Sequence, residues 1–187
     1  MDNLYIQKVL NGDTNAFRFF IKNYKDIAYS LAISVVKDEF IAQDVVQTSF
    51  INAFSHLHTF KGKSKFSTWL YKIIINEAFK TFKKHEKEII RFEELPTEIN
   101  TVEFDNSILR IEEDEQRYFI NEALKKLSPK ESLALRLFYL EECSIEEITE
   151  ITGWTGSNIK VILFRARTNL RLALKNCFNL DKQAFYQ

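Results

Sequence analysis

Apolar side chains recur every three or four residues along almost the whole chain, and residues that interrupt helices are scarce. Only 4 Gly and 2 Pro occur among 187 residues, which is too few for the turns of a many-stranded sandwich or barrel. A spacing of three and four places apolar side chains on one face of an α-helix. The sequence therefore predicts an all-α protein with no strand and no internal repeat.

The helical pattern falls into two groups, separated by a segment that lacks it. Residues 92–115 carry nine acidic residues and one basic residue, a net charge of −8. Such a stretch is typical of a solvated linker. We predict two small helical domains, at residues 1–87 and 117–187, joined by an acidic linker at residues 88–116.

Composition and charge exclude several classes of protein. The chain is 45% hydrophobic and 28% charged, with 26 basic and 26 acidic residues, which is typical of a globular protein and not of a disordered tail. The two cysteines, Cys143 and Cys177, match no metal or redox spacing and suit reduced thiols. No secretion signal and no run of about 20 apolar residues is visible, so we expect a cytoplasmic protein.

A basic face is predicted on the third helix of the first domain. Residues 61–91 hold nine basic and three acidic residues, a net charge of +6. Helical spacing places one set of side chains on a single side, namely Trp69, Lys72, Asn76, Lys80 and Lys83. Ammonium groups around an aromatic ring and an amide suit a nucleic acid, because the cations meet phosphates and the ring stacks on bases. The alternative is a solvated lysine face with Trp69 in the core.

The second domain contains the pattern of a helix-turn-helix. A short helix from Ser144 ends at Gly153, which gives the turn its backbone freedom, and Thr155 can cap the longer helix that follows. Residues 156–175 carry five basic residues and no acidic one. Cations on the second helix would hold phosphates while its first turns meet base edges. The alternative is an ordinary helical hairpin.

Catalytic patterns are weak throughout. His56 and His58 are two residues apart, so they would not face one another on a helix. Adjacent carboxylates occur only in the acidic segment, and four scattered glycines cannot form a phosphate-binding loop. We expect no enzyme activity and no metal or cofactor.

The two basic constellations, in this order and joined by an acidic linker, resemble the extracytoplasmic-function sigma factors of bacterial RNA polymerase. Three segments carry the resemblance: AQDVVQTSFINAF at residues 42–54, FKGKSKFSTWLYKIIIN at 60–76, and residues 124–167 with the helix-turn-helix. Together they imply an alternative sigma factor that binds core polymerase and directs promoter recognition, strand opening and initiation.

The resemblance also implies roles for individual residues. The polymerase clamp would dock on a surface formed or supported by Asp44, Gln47 and Phe50. The minus-ten element would meet Lys61, Lys63, Lys65, Thr68, Trp69, Lys72, Asn76 and Lys80. The minus-thirty-five element would meet Thr155, Ser157, Asn158, Lys160, Arg165 and Arg167. The partners implied are core RNA polymerase, promoter DNA and an anti-sigma protein, with no insertion into a membrane.

The chain departs from the family's pattern at two places. Leu70 follows Trp69, where primary sigma factors have a second tryptophan, and this fits a narrower choice of promoters. The second helix of the helix-turn-helix carries Val161, Ile162 and Phe164 where the family usually has Ser, Arg and His. Apolar side chains can meet thymine methyl groups but cannot grip guanine, so we expect a readout that favours A·T pairs.

Two other functions stay open from the sequence. One is a helix-turn-helix regulator that binds DNA without docking on polymerase, and the other is a helical adaptor with no nucleic-acid role. Binding to core polymerase distinguishes a sigma factor from the regulator. Salt-dependent DNA binding distinguishes a sigma factor from the adaptor.

Overall fold

The structure is a computed structural model that describes the backbone of residues 1–90 and 113–185 and the side chains of residues 1–86 and 120–175. Eight α-helices lie in these ranges, and no strand does. They are α1 (Asp2–Leu10), α2 (Arg18–Val36), α3 (Glu39–Ser55), α4 (Phe66–Ile90), α5 (Glu113–Lys126), α6 (Pro129–Leu135), α7 (Ile145–Thr152) and α8 (Gly156–Phe185). The predicted all-α class is confirmed.

Helix starts follow from side chains that satisfy free backbone N–H groups. The Ser144 hydroxyl accepts from the Glu147 backbone N–H at 3.1 Å, and the Glu147 carboxylate accepts from the Ser144 N–H at 2.9 Å, which forms a capping box at the start of α7. At α6, the Glu131 carboxylate accepts from the Ser128 N–H at 3.2 Å. Asp38 caps α3 by accepting from the backbone N–H of Ile41 at 2.9 Å. Local sequence therefore sets where these helices begin.

Helices α2, α3 and α4 pack on one another to form the first core. Its largest fully buried side chains include Phe20, Leu31, Leu70 and Ile74. Helix α1 lies against the short helical turn at Thr14–Phe17. This helix precedes the three helices that the sequence predicts for the first domain. Tyr5 of α1 stacks on Phe19 with ring centroids 3.9 Å apart, so α1 is held by an aromatic contact.

A second core forms where α5, α6 and α7 pack on α8. Leu133, Leu137, Ile148, Ile151 and Ile159 are fully buried there. Helix α6 ends at Leu135 although apolar residues continue to Leu140, and a wider helical turn, Arg136–Leu140, follows it. Cys143, next to this turn, is half-buried, and burial raises the pKa of its thiol to about 11.

The two helical groups contact each other through α2, α4, α6 and α7. The ring of Phe79 in α4 meets Trp154 edge to face, with centroids 6.2 Å apart. The Lys37 ammonium, at the end of α2, donates to the Leu124 carbonyl of α5 at 2.7 Å. Both contacts join residues that lie far apart in the chain.

Two of the predictions made from the sequence lie wholly or mainly outside the described residues. The acidic linker falls mainly in residues 91–112, and the Cys177 side chain lies beyond residue 175. None of the helices in the described part of the chain combines the length and apolar character that a bilayer span needs.

Candidate polymerase and promoter interface

One side of α4 presents the cations and the amide that the sequence places there. Lys72, Asn76, Lys80 and Lys83 are all exposed and follow one another at helical spacing. Lys80 pairs with Glu77 at 3.1 Å on the same helix. We call this set of four residues the α4 stripe. Exposed cations on one helical side suit a run of phosphates.

The loop before α4 extends the stripe with three more lysines. Lys61, Lys63 and Lys65 are exposed, and Gly62 between the first two has φ +67°, a conformation that favours glycine. The loop therefore presents its lysines through a turn that a residue with a side chain would strain.

Trp69 lies next to the α4 stripe in a cluster of aromatic rings. Its ring centroid is 5.5 Å from those of both Phe60 and Phe66. Trp69 is partly buried and packs against the core. Its ring is therefore neither fully exposed nor fully enclosed. The packing holds the ring in a fixed orientation beside the cations.

Thr68 is the predicted site residue that the structure removes from the surface. Its exposed fraction is 5%, so it cannot contact DNA in this arrangement. Thr68 lies between Lys72 of the α4 stripe, four residues later, and Tyr71, three residues later, which contacts the second helical group. The packed arrangement therefore does not present Thr68 to the minus-ten element, contrary to the expectation that it is an exposed contact.

Lys65 is engaged by the second helical group. Its ammonium lies 2.7 Å from the Glu147 carboxylate at the start of α7. The hydrogen bond between them raises the pKa of Lys65 and lowers that of Glu147. Close by, the Tyr71 hydroxyl donates to Glu141 at 3.5 Å, and burial raises the pKa of both side chains. One lysine of the predicted minus-ten surface is thus paired with a carboxylate.

The predicted DNA-binding residues of the helix-turn-helix are all exposed. Gly153 has φ +73° in the turn, as the pattern predicts, and the Thr155 hydroxyl accepts from the Asn158 N–H at 3.3 Å to cap α8. The exposed set is Thr155, Ser157, Asn158, Lys160, Arg165 and Arg167. Arg167 stands apart from the others, because its guanidinium donates to the Tyr139 hydroxyl at 3.2 Å and to the Leu163 carbonyl at 3.1 Å.

A groove of about 520 Å³ lies between α2 and α3, and its lining is mainly apolar. Gln47 lies on its rim, and Phe50, which is 7% exposed, forms part of its wall. Ile21, Ile51 and Phe54 leave apolar surface exposed along it. Asp44 is exposed on α3 but does not line the groove. The three residues predicted for polymerase docking thus divide between a groove and the exposed side of one helix.

A second apolar groove, of about 460 Å³, was not predicted. It lies between α5, the turn after α6, and α8, and Ile120, Tyr139, Leu140 and Leu174 line it. In the sequence, Leu140 continues the apolar residues of α6. The wider turn at 136–140 leaves that side chain 56% exposed.

The rings of His56 and His58, the two histidines that are close in sequence, have their centroids 6.5 Å apart. Across the side chains that the structure describes, no group of three His, Cys, Asp or Glu is arranged to hold a metal ion.

Two protein-family models match the chain, one in each of its two helical groups. Residues 20–88 match the model of Sigma-70 region 2, and residues 120–170 match that of Sigma-70, region 4. The RNA polymerase sigma factor SigV of Bacillus subtilis is 31% identical over 155 residues, which cover 82% of this chain and 88% of SigV. The ECF RNA polymerase sigma factor SigM of the same organism is 29% identical over 150 residues, which cover 79% of this chain and 88% of SigM.

The fold has a counterpart among solved structures. The sigma factor RpoE, in its co-crystal structure with the anti-sigma factor NepR from Bartonella quintana, aligns with a TM-score of 0.67. It is 24% identical and covers 85% of this chain and 96% of RpoE. Fold, order of regions and sequence likeness agree, which sets aside the regulator and adaptor alternatives. The chain belongs to the extracytoplasmic-function sigma factors, the alternative sigma factors that direct RNA polymerase to initiate transcription.

Proposed function

We propose that the chain brings core RNA polymerase to its promoters through three surfaces on separate helices. Core polymerase docks on the exposed side of α3 and the α2–α3 groove, where Asp44 and Gln47 are exposed and Phe50 shapes the wall. The minus-ten element binds the α4 stripe and the loop before it. The minus-thirty-five element binds α8. The supporting observation is that both cationic faces are exposed on different helices.

Trp69 is our proposed contact for an unpaired base of the minus-ten element. Phe60 and Phe66 pack on the ring and limit its motion, so little entropy is lost when a base stacks on it. The neighbouring lysines attract the phosphates on either side of that base. Lys65 joins them only after it leaves Glu147.

In this proposal, core polymerase catalyses RNA synthesis and the chain itself catalyses no reaction. We propose the two domains predicted from the sequence, residues 1–87 and 117–187, joined by residues 88–116, whose two ends belong to α4 and α5. It acts in the cytoplasm, where core polymerase and promoter DNA are found.

We further propose that an anti-sigma protein holds the chain inactive. The solved structures with the same fold include RpoE with the anti-sigma factor NepR, and CnrH in complex with the cytosolic domain of CnrY at a TM-score of 0.63. The α2–α3 groove offers such a partner apolar surface beside the face that would dock polymerase. Binding there would exclude core enzyme.

Run-off transcription from genomic fragments tests the main proposal. Core enzyme with the purified protein should start transcription at a defined set of promoters, and core enzyme alone should not. A set of products that is the same with and without the protein would contradict the proposal.

Variants separate polymerase docking from DNA binding. Gln47→Ala should weaken capture of core enzyme severalfold, and Gln7→Ala, at an exposed glutamine of α1, is the matched control. Lys72→Ala should leave capture unchanged and weaken the promoter complex. Equal capture by the Gln47 and Gln7 variants would remove Gln47 from the docking surface.

A further inference from the structure

The outward side of α8 carries a strip of uncharged side chains between cations. Ser157, Val161, Phe164 and Thr168 are exposed and follow one another at steps of four, three and four, so they lie in one line. The exposed fractions are 47% for Val161 and 68% for Phe164. Ile162, the third departure from the family's pattern, is partly buried against the core instead. Two apolar side chains thus face outward in the first turns of the helix.

The charges around this strip indicate what covers it. Lys160 and Arg165 are exposed on its two sides, and neither forms an ion pair with a described residue. Residues 156–175 contain no carboxylate. An apolar protein partner has no need of flanking cations on both sides, whereas duplex DNA presents a phosphate strand on each side of its major groove.

We propose that Val161 and Phe164 read thymine methyl groups in the minus-thirty-five element, so that this element has thymines at the positions facing α8. The inference rests on the proposed role of α8 as the helix that binds this element. Among the groups on the floor of the major groove, only the C5-methyl of thymine is apolar. Two residues three apart on a helix are about 4.5 Å apart along its axis. If α8 lies along the major groove, this distance is comparable to the rise of about 3.4 Å per base pair, and the two side chains then face neighbouring base pairs.

The same geometry excludes the readout that a basic residue would give. A guanine edge offers two acceptors to an arginine fork, and neither Val161 nor Phe164 can donate to them. Guanine opposite Phe164 would have its acceptors covered by a ring and left without partners, which disfavours that pair. The strip therefore selects for thymine and against guanine.

The test begins by selecting binding sites from random duplexes with the full-length protein and core polymerase. Thymines should be enriched in the minus-thirty-five element. Each of them is then replaced by deoxyuridine, which keeps the base pair and removes only the methyl group. One methyl buried against an apolar side chain corresponds to about a fourfold change in affinity.

For the wild type, we expect about fourfold weaker binding for each uracil that faces Val161 or Phe164, and no change for uracil elsewhere. Phe164→Ala should fold normally, since its ring is largely exposed, and should lose the effect at one thymine only. Val161→Ala should lose it at the neighbouring thymine. This crossed pattern is the signature of direct methyl contacts.

Several results would overturn the inference. One is a selected minus-thirty-five element that contains no thymine. Another is a wild type whose affinity for DNA does not change when uracil replaces thymine. A third is a Phe164 variant whose affinity falls equally for all sequences, which would show a structural role of the ring. Unchanged DNA binding with weaker capture of core enzyme would assign the strip to a protein contact. Transcription from the selected promoters by the same complex tests the proposed function separately, because it can succeed while the uracil effect is absent.

Discussion

The contact between the two helical groups should tighten as pH rises from about 8 to about 10, because it contains a partly buried lysine. Burial, together with the nearby charge of Arg136, lowers the pKa of Lys37 from 10.5 to about 8, and Glu131 acts in the opposite direction. The ammonium donates to the Leu124 carbonyl, which also accepts from the Leu127 N–H at 3.4 Å. Below pH 8 the packed arrangement therefore holds a charge that water would solvate better.

The direction and the magnitude of this pH effect follow from the linkage between proton binding and stability. When the groups separate or unfold, the lysine regains a pKa near 10.5, so between pH 8 and 10.5 the open state binds more protons. The stability of the packed state therefore rises with pH in that window. A shift from 10.5 to about 8 corresponds to about 3 kcal/mol in full. Because the side chain is only partly buried, we expect about 1 to 2 kcal/mol.

Lys37→Met provides the measurement, since it keeps the length of the side chain and removes the titrating group. The free energy of unfolding in urea should be measured from pH 7.5 to 10 for both proteins, with the radius of gyration from X-ray scattering. Wild type should gain about 1 to 2 kcal/mol relative to the variant over this range. Lys22→Met, at an exposed lysine of α2, should behave as wild type. Parallel curves for wild type and Lys37→Met would refute the reasoning.

Three further changes have defined outcomes. Lys72→Ala should reduce the slope of log K against log salt for promoter binding by about 1, whereas Lys22→Ala should not change it. Ser144→Ala removes the cap of α7 and should lower the free energy of unfolding in urea by about 1 kcal/mol; no change would show that water replaces the hydroxyl. Gly153→Ala places a side chain at φ +73° with nothing within 4 Å of it, so calorimetry should show a backbone cost alone, of about 1 kcal/mol.

Much of the local structure could be predicted because its causes lie within a few residues. The capping box at Ser144 and the positive φ at Gly153 depend on neighbours three or four positions away. The burial of Thr68 could not be predicted in this way, because Lys72 of the α4 stripe follows it by four residues and helical spacing places both on the same side.

The contact between the two helical groups could not be predicted from spacing. The pairs Phe79 with Trp154 and Lys37 with Leu124 join residues about 75 to 87 positions apart, and hydrophobic periodicity carries no signal over such separations. Nor does periodicity indicate a groove, since Phe54 and Ile51 fit the core pattern and yet remain partly exposed between α2 and α3. Which face of a helix is covered depends on its neighbours in space.

The pairing of Lys65 with Glu147 links these long-range contacts to function. The same ammonium is proposed to bind a phosphate of the minus-ten element, and the Glu147 carboxylate 2.7 Å from it would repel that phosphate. Glu146 and Glu150 add further negative charge on α7, which packs on α4. DNA approaching α4 in the packed arrangement would meet this charge as well as the lysines. On the proposed DNA-contact surface, promoter binding is favoured when α7 moves away from α4, and a polymerase that holds the two helical groups apart would supply that separation before DNA arrives.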